Sequence, residues 1–476
     1  MTSQEAWQQQ QKVMEDYRTR QPALLINKRR RSEAEIFQEI GIWQLPHDKT
    51  LGYIRLHPQD FLVEEKLTDG KVIKLTPIAY GQEPIVKRDD KTNTLYAEMI
   101  KIGIPTEIAV KRLADSLNFK ANKIGYAGLK DADAITAQLI SFSGIALVPK
   151  DIIKQKISNV HLKNFYYDKG SVSIGNLSAN IFTIAIRTKE LVDKAKFSIK
   201  IQQIAKYGVL NYFQSQRFGG LRLSSHLLGQ AILQGDYELC IKIYLFKENP
   251  DDIPLITNLR REAKKAFPNW LKIEQIFAEL PYTFFNELKI IKYLIDQPDN
   301  FLGALINLKE QTTLWVYAYA SWLFNKYLSL YAKDRGVTGE KFSLLLSDQV
   351  SDQKIYQEFL EEDKTTDFIK HLRPFKFIQL KRRQVPGRIF PEELDYKIFD
   401  RGVVLKFSLP KASYATTLLA NLFEICQGLP IPDWVKTEEV DTLALLGQGS
   451  IAELKQIFKD CWYSKLEQII NLENPV

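Results

Sequence analysis

The sequence is poor in the residues that build metal sites and disulfide frameworks. Its 476 residues include three cysteines, Cys240, Cys426 and Cys461, and five histidines. The cysteines are widely separated without a CxxC pair, and no HExxH motif is present. Sparse cysteines in odd number are typical of a reducing compartment, and scattered ligands do not favour zinc. We therefore expect a cytoplasmic protein without a metal or a disulfide framework.

The signatures of several other protein classes are also missing. The sequence contains no GxxxxGK[ST] phosphate loop and no GxSxG nucleophile turn, so P-loop nucleotide hydrolysis and serine hydrolase chemistry are not indicated. The polar start MTSQEAWQQQQK lacks the apolar core of a signal peptide. The most apolar long stretch, 314–332, contains Ser321, Asn325 and Lys326. It predicts a buried aromatic helix rather than a membrane span, and we expect no membrane association.

The composition is that of a folded protein with a modest excess of positive charge. Hydrophobic residues make up 45% and charged residues 26%, which argues against disorder and suits two or three domains. The net charge of +8 and the pI of about 9.0 favour an anionic partner such as nucleic acid. The cluster Lys28-Arg29-Arg30-Arg31 fits either a basic arm that contacts phosphates or a solvated helix face.

Hydrophobic patterns predict two β-containing blocks separated by a helical block. Strand-like alternation occurs around Phe61–Glu64, at 180–187, at 375–380 and at 403–409. Helical spacing occurs at 106–119 and dominates 226–372. This order predicts one domain inserted into another.

The segment Gly125-Tyr126-Ala127-Gly128-Leu129-Lys130-Asp131 presents one carboxylate in a turn punctuated by two glycines. We expect both glycines to allow unusual backbone geometry or close approach. The alternation after it, at 135–140, is typical of a half-buried strand. Asp131 is then either a reactive group presented at a strand end or a turn residue that satisfies backbone donors. A glycosidase would need Asp133 or another acid as its partner.

Motifs distributed along the chain resemble the TruD family of RNA pseudouridine synthases. They are RLHPQDFLVE from Arg55, the Gly-Leu-Lys-Asp turn, Asn180-Ile181-Phe182, NYFQSQRFG from Asn211, YAYASWLFN from Tyr317, and FSLP from Phe407 with SYAT from Ser413. The resemblance covers about residues 50–420. It implies an α+β fold: a pseudouridine synthase core with a mainly antiparallel sheet flanked by helices, interrupted by an inserted, mostly helical α/β TRUD domain.

The domain boundaries expected from this resemblance divide the chain into four parts. Residues 51–212 and 383–433 form the catalytic core, and residues 213–382 form the inserted TRUD domain. Residues 1–50 form an N-terminal extension, and residues 434–476 form a helical C-terminal extension.

The resemblance also implies a reaction and a set of site residues. The reaction is isomerisation of uridine to pseudouridine in RNA, expected in tRNA at a D-arm uridine such as position 13, with no cofactor and no metal. Asp131 would be the catalytic aspartate, Arg55 the cation beside it and Asn180 an orienting amide. Phe182, Asn211, Gln216 and Arg217 would bind the substrate. The other interpretation of these four is structural: Phe182 as core, and the rest as a domain junction.

The expected partner is RNA, held in the cleft between the core and the insertion, with the protein as a monomer. Two other functions stay open. One is a non-catalytic RNA-binding protein or RNA folding chaperone with the same fold. The other is a glycosidase-like hydrolase.

Overall fold

The computed structural model describes residues 3–27, 31–43, 49–77, 94–144, 149–155, 157–411, 413–428 and 430–466. The chain divides into two compact units. The helical unit comprises residues 1–45 and 210–388, and the sheet unit comprises residues 46–209 and 389–476. The finer boundaries expected for the core, the TRUD insertion and the two extensions stay predictions.

The secondary structure elements are numbered here in chain order. The strands are β1 (Thr50–Ile54), β2 (Phe61–Lys66), β3 (Val72–Ile73), β4 (Thr94–Ile102), β5 (Ile124–Tyr126), β6 (Ile135–Ser143), β7 (Val160–Asp168), β8 (Ala179–Thr188), β9 (Val209–Leu210), β10 (Lys341–Ser343), β11 (Gln384–Pro386), β12 (Arg388–Ile389), β13 (Glu392–Phe399), β14 (Gly402–Pro410) and β15 (Phe423–Cys426). The helices are α1 (Ser3–Arg20), α2 (Glu33–Glu39), α3 (Thr106–Ser116), α4 (Pro149–Ile153), α5 (Lys194–Tyr207), α6 (Ser225–Gln234), α7 (Tyr237–Phe246), α8 (Pro254–Ala266), α9 (Trp270–Phe277), α10 (Phe285–Asp296), α11 (Phe301–Asn307), α12 (Lys309–Arg335), α13 (Val350–Lys354), α14 (Gln357–Glu362), α15 (Phe368–Leu372), α16 (Ala415–Leu419), α17 (Thr442–Leu445) and α18 (Ala452–Ile457).

The sheet unit is built on one large, mainly antiparallel sheet. The strand order is β13-β14-β8-β2-β6-β4-β7, with β1 paired to β8 and β15, and with β5 paired to β6. Among the described pairs, β1 runs parallel to β15 and β2 runs parallel to β6, while the others are antiparallel. The predicted α+β class is confirmed, and so are the strands at 180–187 and 403–409 and the helix at 106–119.

Strand β6 is buried on both faces, so the expectation of a half-buried strand is wrong. Ile135, Ala137 and Leu139 pack on one face in a cluster with Leu454 of α18. Thr136 and Gln138 lie on the opposite face and are fully buried as well. The polar residues of the alternation therefore face protein rather than water; Gln138 bonds Thr106 and the Gly128 carbonyl, whereas the Thr136 hydroxyl is buried without a hydrogen-bond partner among the described residues.

The helical unit is organised around α12, the helix predicted from the aromatic stretch. This helix is buried nearly all round, and Ser321, Asn325 and Ser329 form a polar row at four-residue spacing. The Asn325 side chain bonds both backbone groups of Phe213 and the carbonyl of Ile40. In the part of the chain that the structure describes, no helix is both long and apolar enough to cross a membrane.

Two local predictions in the helical unit are changed by the structure. The segment 375–380 is not a strand, because its alternating side chains pack individually onto the helical core without a neighbouring strand. Arg31 is neither a phosphate-binding arm nor a solvated face: its buried guanidinium pairs with Asp251 at 2.7 Å and with Glu39 at 2.6 Å. Residues 28–30 of the basic cluster lie outside the described residues.

Candidate active site

Asp131 lies in the turn that joins β5 to β6. The two strands are antiparallel neighbours, so the turn projects from the end of the sheet. The Asp131 side chain is 34% exposed, whereas the Lys130 side chain beside it is 4% exposed. The turn therefore presents the Asp131 carboxylate to solvent while it directs the adjacent Lys130 ammonium inward.

Buried side chains from three elements hold the backbone of this turn. Thr106, the first residue of α3, accepts a hydrogen bond from the Lys130 N–H at 2.9 Å and donates to Gln138 at 3.2 Å. Gln138 of β6 donates to the Gly128 carbonyl at 3.3 Å. Lys101 of β4 donates to the Asp131 carbonyl at 2.7 Å. Because these donors and acceptors belong to regular elements, the turn has little freedom to move.

The two glycines of the turn differ in what they contribute. A side chain on Gly125 would collide with the Val172 carbonyl and with the Ser141 hydroxyl, which itself accepts from the Val172 N–H at 2.8 Å. A side chain on Gly128 would meet only Leu177, at 3.7 Å, and Gly128 has no positive φ. The close approach of Val172 and Ser141 therefore requires glycine at position 125. The expectation that Gly128 is needed for unusual backbone geometry or close approach is wrong.

Arg55 lies beside Asp131, with its Nη2 atom 3.2 Å from Oδ1 of the carboxylate. It follows β1 and has a φ of +63°, which a non-glycine residue adopts only when its surroundings compensate the strain. Asp60 supplies that support, since its buried carboxylate accepts from the N–H groups of Leu56 at 2.9 Å and of His57 at 2.8 Å.

The Arg55 side chain is held mainly by stacking. Its guanidinium lies 4.0 Å from the centre of the Phe61 ring, and Nη1 donates to Gln427 at 3.2 Å. The Nη2 atom faces the Asp131 carboxylate, and Nε on the same edge is buried without a hydrogen-bond partner in the described part of the chain. That edge of the guanidinium has the planar, two-donor geometry that suits a carboxylate or a phosphate.

Asn180 is connected to the turn through Lys130. The Lys130 ammonium donates to Asn180 Oδ1 at 2.8 Å and pairs with Glu65 at 2.5 Å. Glu65 also accepts from the Leu139 N–H at 3.1 Å. Since the amide oxygen of Asn180 is occupied, its NH₂ group is the part left to orient other groups.

Phe182 lies two residues further along β8, on the same face as Asn180. Its ring is 5% exposed and packs against Phe407 at 5.4 Å and Phe61 at 6.2 Å. In this structure Phe182 is a core residue that contacts the ring supporting Arg55.

The remaining predicted site residues belong to the helical unit. Asn211 is buried and donates to the Pro386 carbonyl at 3.0 Å. Gln216 is exposed. Arg217 donates to Ser321 at 2.9 Å and lies 5.7 Å from the Phe213 ring and 6.0 Å from the Tyr317 ring.

Sequence reasoning missed Lys101, Glu65, Thr106 and Gln138, which together hold the turn and Asn180. A signal for Lys101 was present, because a lone lysine between Ile100 and Ile102 in a strand predicts a buried cation with a specific acceptor. Apart from Gln138 and Gly128, which are 10 residues apart, the partners that hold the turn lie 24 to 74 residues apart along the chain, so their pairing had no local signal.

The chemistry available at Asp131 is that of a partly exposed carboxylate with the buried Arg55 cation beside it. Asp133, the neighbouring acid, is 53% exposed and pairs with Lys465 at 3.0 Å. Glu65 is buried and paired with Lys130. Neither provides the second positioned acid of a glycosidase. In the described ranges, no three His, Cys, Asp or Glu side chains cluster as metal ligands.

Comparisons with known proteins point to one family. The family profile described as tRNA pseudouridine synthase D (TruD) matches residues 39–342. The tRNA pseudouridine synthase D of Aquifex aeolicus is 26% identical over 393 residues, spanning 74% of this chain and 97% of its own length. A relative from Methanocaldococcus jannaschii, named "Probable tRNA pseudouridine synthase D 1", is 25% identical over 392 residues, spanning 79% of this chain and 96% of its own length. Another, in Methanosarcina barkeri, is 31% identical over 303 residues, spanning 61% and 63%.

A solved structure agrees in fold. The crystal structure from Methanosarcina mazei described as tRNA pseudouridine synthase D (TruD) superposes with a TM-score of 0.59 at 22% sequence identity. It covers 81% of this chain and 97% of its own. The likeness extends across most of both chains and shows the same α+β architecture.

Proposed function

The chain belongs to the TruD family, and from that premise we propose that it isomerises uridine to pseudouridine in tRNA with Asp131 as the reacting carboxylate. The family resemblance read from the motifs is confirmed by the family profile. The observation that carries the catalytic assignment is the pair of Asp131 and Arg55 at 3.2 Å, on a turn held by buried side chains.

The reaction needs one group that can attack or accept a proton. The N1–C1′ bond breaks and a C5–C1′ bond forms; N1 gains a proton and C5 loses one. An ionised carboxylate serves either as the nucleophile at C1′ or as the base that removes a sugar proton to leave a glycal-like intermediate. Arg55 pairs with the Asp131 carboxylate at 3.2 Å and so restrains its orientation.

The target uridine must leave its stack to reach such a turn. We assign the orientation of the base to the NH₂ group of Asn180, whose amide oxygen accepts from Lys130. Phe182 is proposed as a stacking partner; because its ring is 5% exposed, this role requires the ring to become accessible when RNA binds. The final proton from C5 needs an acceptor other than this phenylalanine.

RNA contacts are also proposed for the helical unit. Arg217 and Arg383 both lie near one aromatic residue, with guanidinium carbons 6.0 Å and 4.4 Å from the centre of the Tyr317 ring. Arginines with aromatic rings suit both phosphates and unstacked bases. Asn211 and Gln216 would support this surface. The D-arm target, the monomeric state and the cytoplasmic location stay predictions.

The test is to replace Asp131 by asparagine, with Asp133→Asn as the matched control. Both changes remove one negative charge from the same turn, but only Asp131 pairs with Arg55. Release of tritium from tRNA labelled at uridine C5 measures the reaction, and filter binding measures RNA affinity. We expect Asp131→Asn to lower turnover by ~10³-fold or more while RNA affinity stays within about threefold.

The alternatives give different results. Turnover retained in Asp131→Asn would overturn the catalytic assignment. A wild-type protein that binds tRNA without releasing tritium would support the RNA-binding or chaperone function instead. Transcripts with cytidine at each D-arm uridine in turn identify the target, since one of them loses the reaction.

A further inference from the structure

Lys101 is a fully buried lysine that touches the backbone of the proposed catalytic residue. It is the next-to-last residue of β4 and is 0% exposed. Its ammonium donates to the Asp131 carbonyl at 2.7 Å and to the Ile104 carbonyl at 2.8 Å. Two of its three donors are therefore accounted for by backbone oxygens, one of them in the turn.

The charged groups around Lys101 are few. The turn contributes Asp131, which raises its pKa, and Lys130, which lowers it; α3 contributes Glu107, which raises it. The residues paired with it on the adjacent strands, Thr136 of β6 and Val160 of β7, carry no charge. Burial is the largest influence and lowers the pKa of Lys101 to about 8.

A cation in this position is costly to the fold. The flanking residues Ile100 and Ile102 are buried and apolar, and an uncharged residue would avoid the desolvation of an ammonium group. The contact that an apolar side chain could not replace is the charge-assisted hydrogen bond to the turn. This points to a role at Asp131 rather than a role in packing.

We propose that Lys101 is the positioning residue for Asp131: its ammonium fixes the main chain of the turn so that the carboxylate is presented in one place. The proposal rests on the function proposed above. When the ammonium loses its proton, the attraction to the Asp131 carbonyl weakens, and with it the placement of the carboxylate. Turnover should therefore decline above about pH 8.

The experiment compares Lys101→Met, Lys101→Gln and the matched control Lys163→Met. Lys163 is also a buried lysine of the sheet; it donates to the Lys74 carbonyl at 2.7 Å and pairs with Glu98 at 3.5 Å. Its loss costs stability without reaching the turn. For each variant, kcat and KM for tRNA are measured from about pH 6 to pH 10.

We expect Lys101→Met to lower kcat by about 10- to 100-fold with KM within about twofold, because a displaced reacting group affects the chemical step. Lys101→Gln keeps one donor without a charge, so it should recover part of kcat and lack the decline above pH 8. Lys163→Met should match the wild type in kcat and in pH profile.

Wild-type kcat in Lys101→Met, or an equal fall in Lys163→Met, would overturn the proposal. So would an alkaline decline that persists in Lys101→Gln. If neither Lys101 variant folds, the pH dependence of kcat in the wild type is the test. A wild-type kcat that does not decline above about pH 8 would also refute the proposal. Asp131→Asn, measured in parallel, distinguishes the role of Lys101 from the proposed function. If the wild type is active, Asp131→Asn is inactive and the Lys101 variants keep wild-type kcat, only the role of Lys101 is refuted.

Discussion

Removing one partner of the Glu65–Lys130 ion pair should destabilise the fold far more than removing one partner of a surface pair of similar length. The two charged atoms are 2.5 Å apart, with side chains 0% and 4% exposed. Replacing Glu65 by glutamine leaves the Lys130 ammonium buried without its counter-charge. Loss of one partner from a buried pair costs about 3–5 kcal/mol, which is roughly a hundredfold to several thousandfold in the folding equilibrium.

The matched control lies in the same unit. Lys455 and Glu439 are 2.6 Å apart, but their side chains are 46% and 43% exposed. Water already solvates both charges there, so Glu439→Gln should cost only about 0–1 kcal/mol. The two substitutions change the same chemical group at nearly the same distance, and burial is the main difference between them.

Hydrogen exchange measured by mass spectrometry over β6 and β8 provides the free energy of opening of the sheet unit alone. This avoids treating a chain of two units as a single transition. The double variant Glu65→Gln/Lys130→Met should be less destabilised than the sum of the two single variants, since the second change removes the stranded charge. A cost for Glu65→Gln no larger than that of Glu439→Gln would refute the reasoning.

Two further predictions concern a buried histidine and the two glycines of the turn. Burial lowers the pKa of His226 to about 3, below its usual 6.5. Below pH 6.5 the unfolded chain therefore binds a proton at this histidine that the native chain does not bind. The free energy of unfolding should then fall by about 1.4 kcal/mol per pH unit. His226→Phe keeps the aromatic contacts with Phe218 and Trp322. In this variant the free energy of unfolding, measured by urea titration at several pH values, should depend less on pH below 6.5. The same pH dependence as in the wild type would contradict this. Gly125→Ala should lower the free energy of unfolding by about 1–3 kcal/mol. Gly128→Ala should lower it by less than about 1 kcal/mol, because the added side chain meets only Leu177. Equal effects of the two substitutions would contradict the steric argument.

Much of the secondary structure was predictable because its signal is local. The alternation at 180–187 and 403–409 corresponds to β8 and β14, and the spacing at 106–119 corresponds to α3. The same signal failed at 375–380, where the apolar side chains pack against the helical core and no strand forms. Periodicity indicates which side chains face the core. Only tertiary contacts decide whether the segment pairs with a neighbouring strand in a sheet.

The candidate site was predictable in part. The motifs placed Asp131 and Arg55 in one site, and the structure brings them to 3.2 Å. The supporting residues were not predictable, because Glu65 and Lys101 carry no motif of their own in the sequence. A buried polar side chain indicates that a partner exists, but its identity depends on which strands become neighbours.

The sequence by itself determined that Asp131 is carried in a turn ahead of a strand, that a helical block interrupts the β-containing blocks, and that the chain resembles one enzyme family. These properties depend on short-range periodicity and on motifs. The tertiary structure alone decided that the polar face of β6 is buried, that Lys101 holds the turn and that Lys130 joins Glu65 to Asn180. Such pairings require strands distant in sequence to lie in register, and burial makes each pairing obligatory once they do.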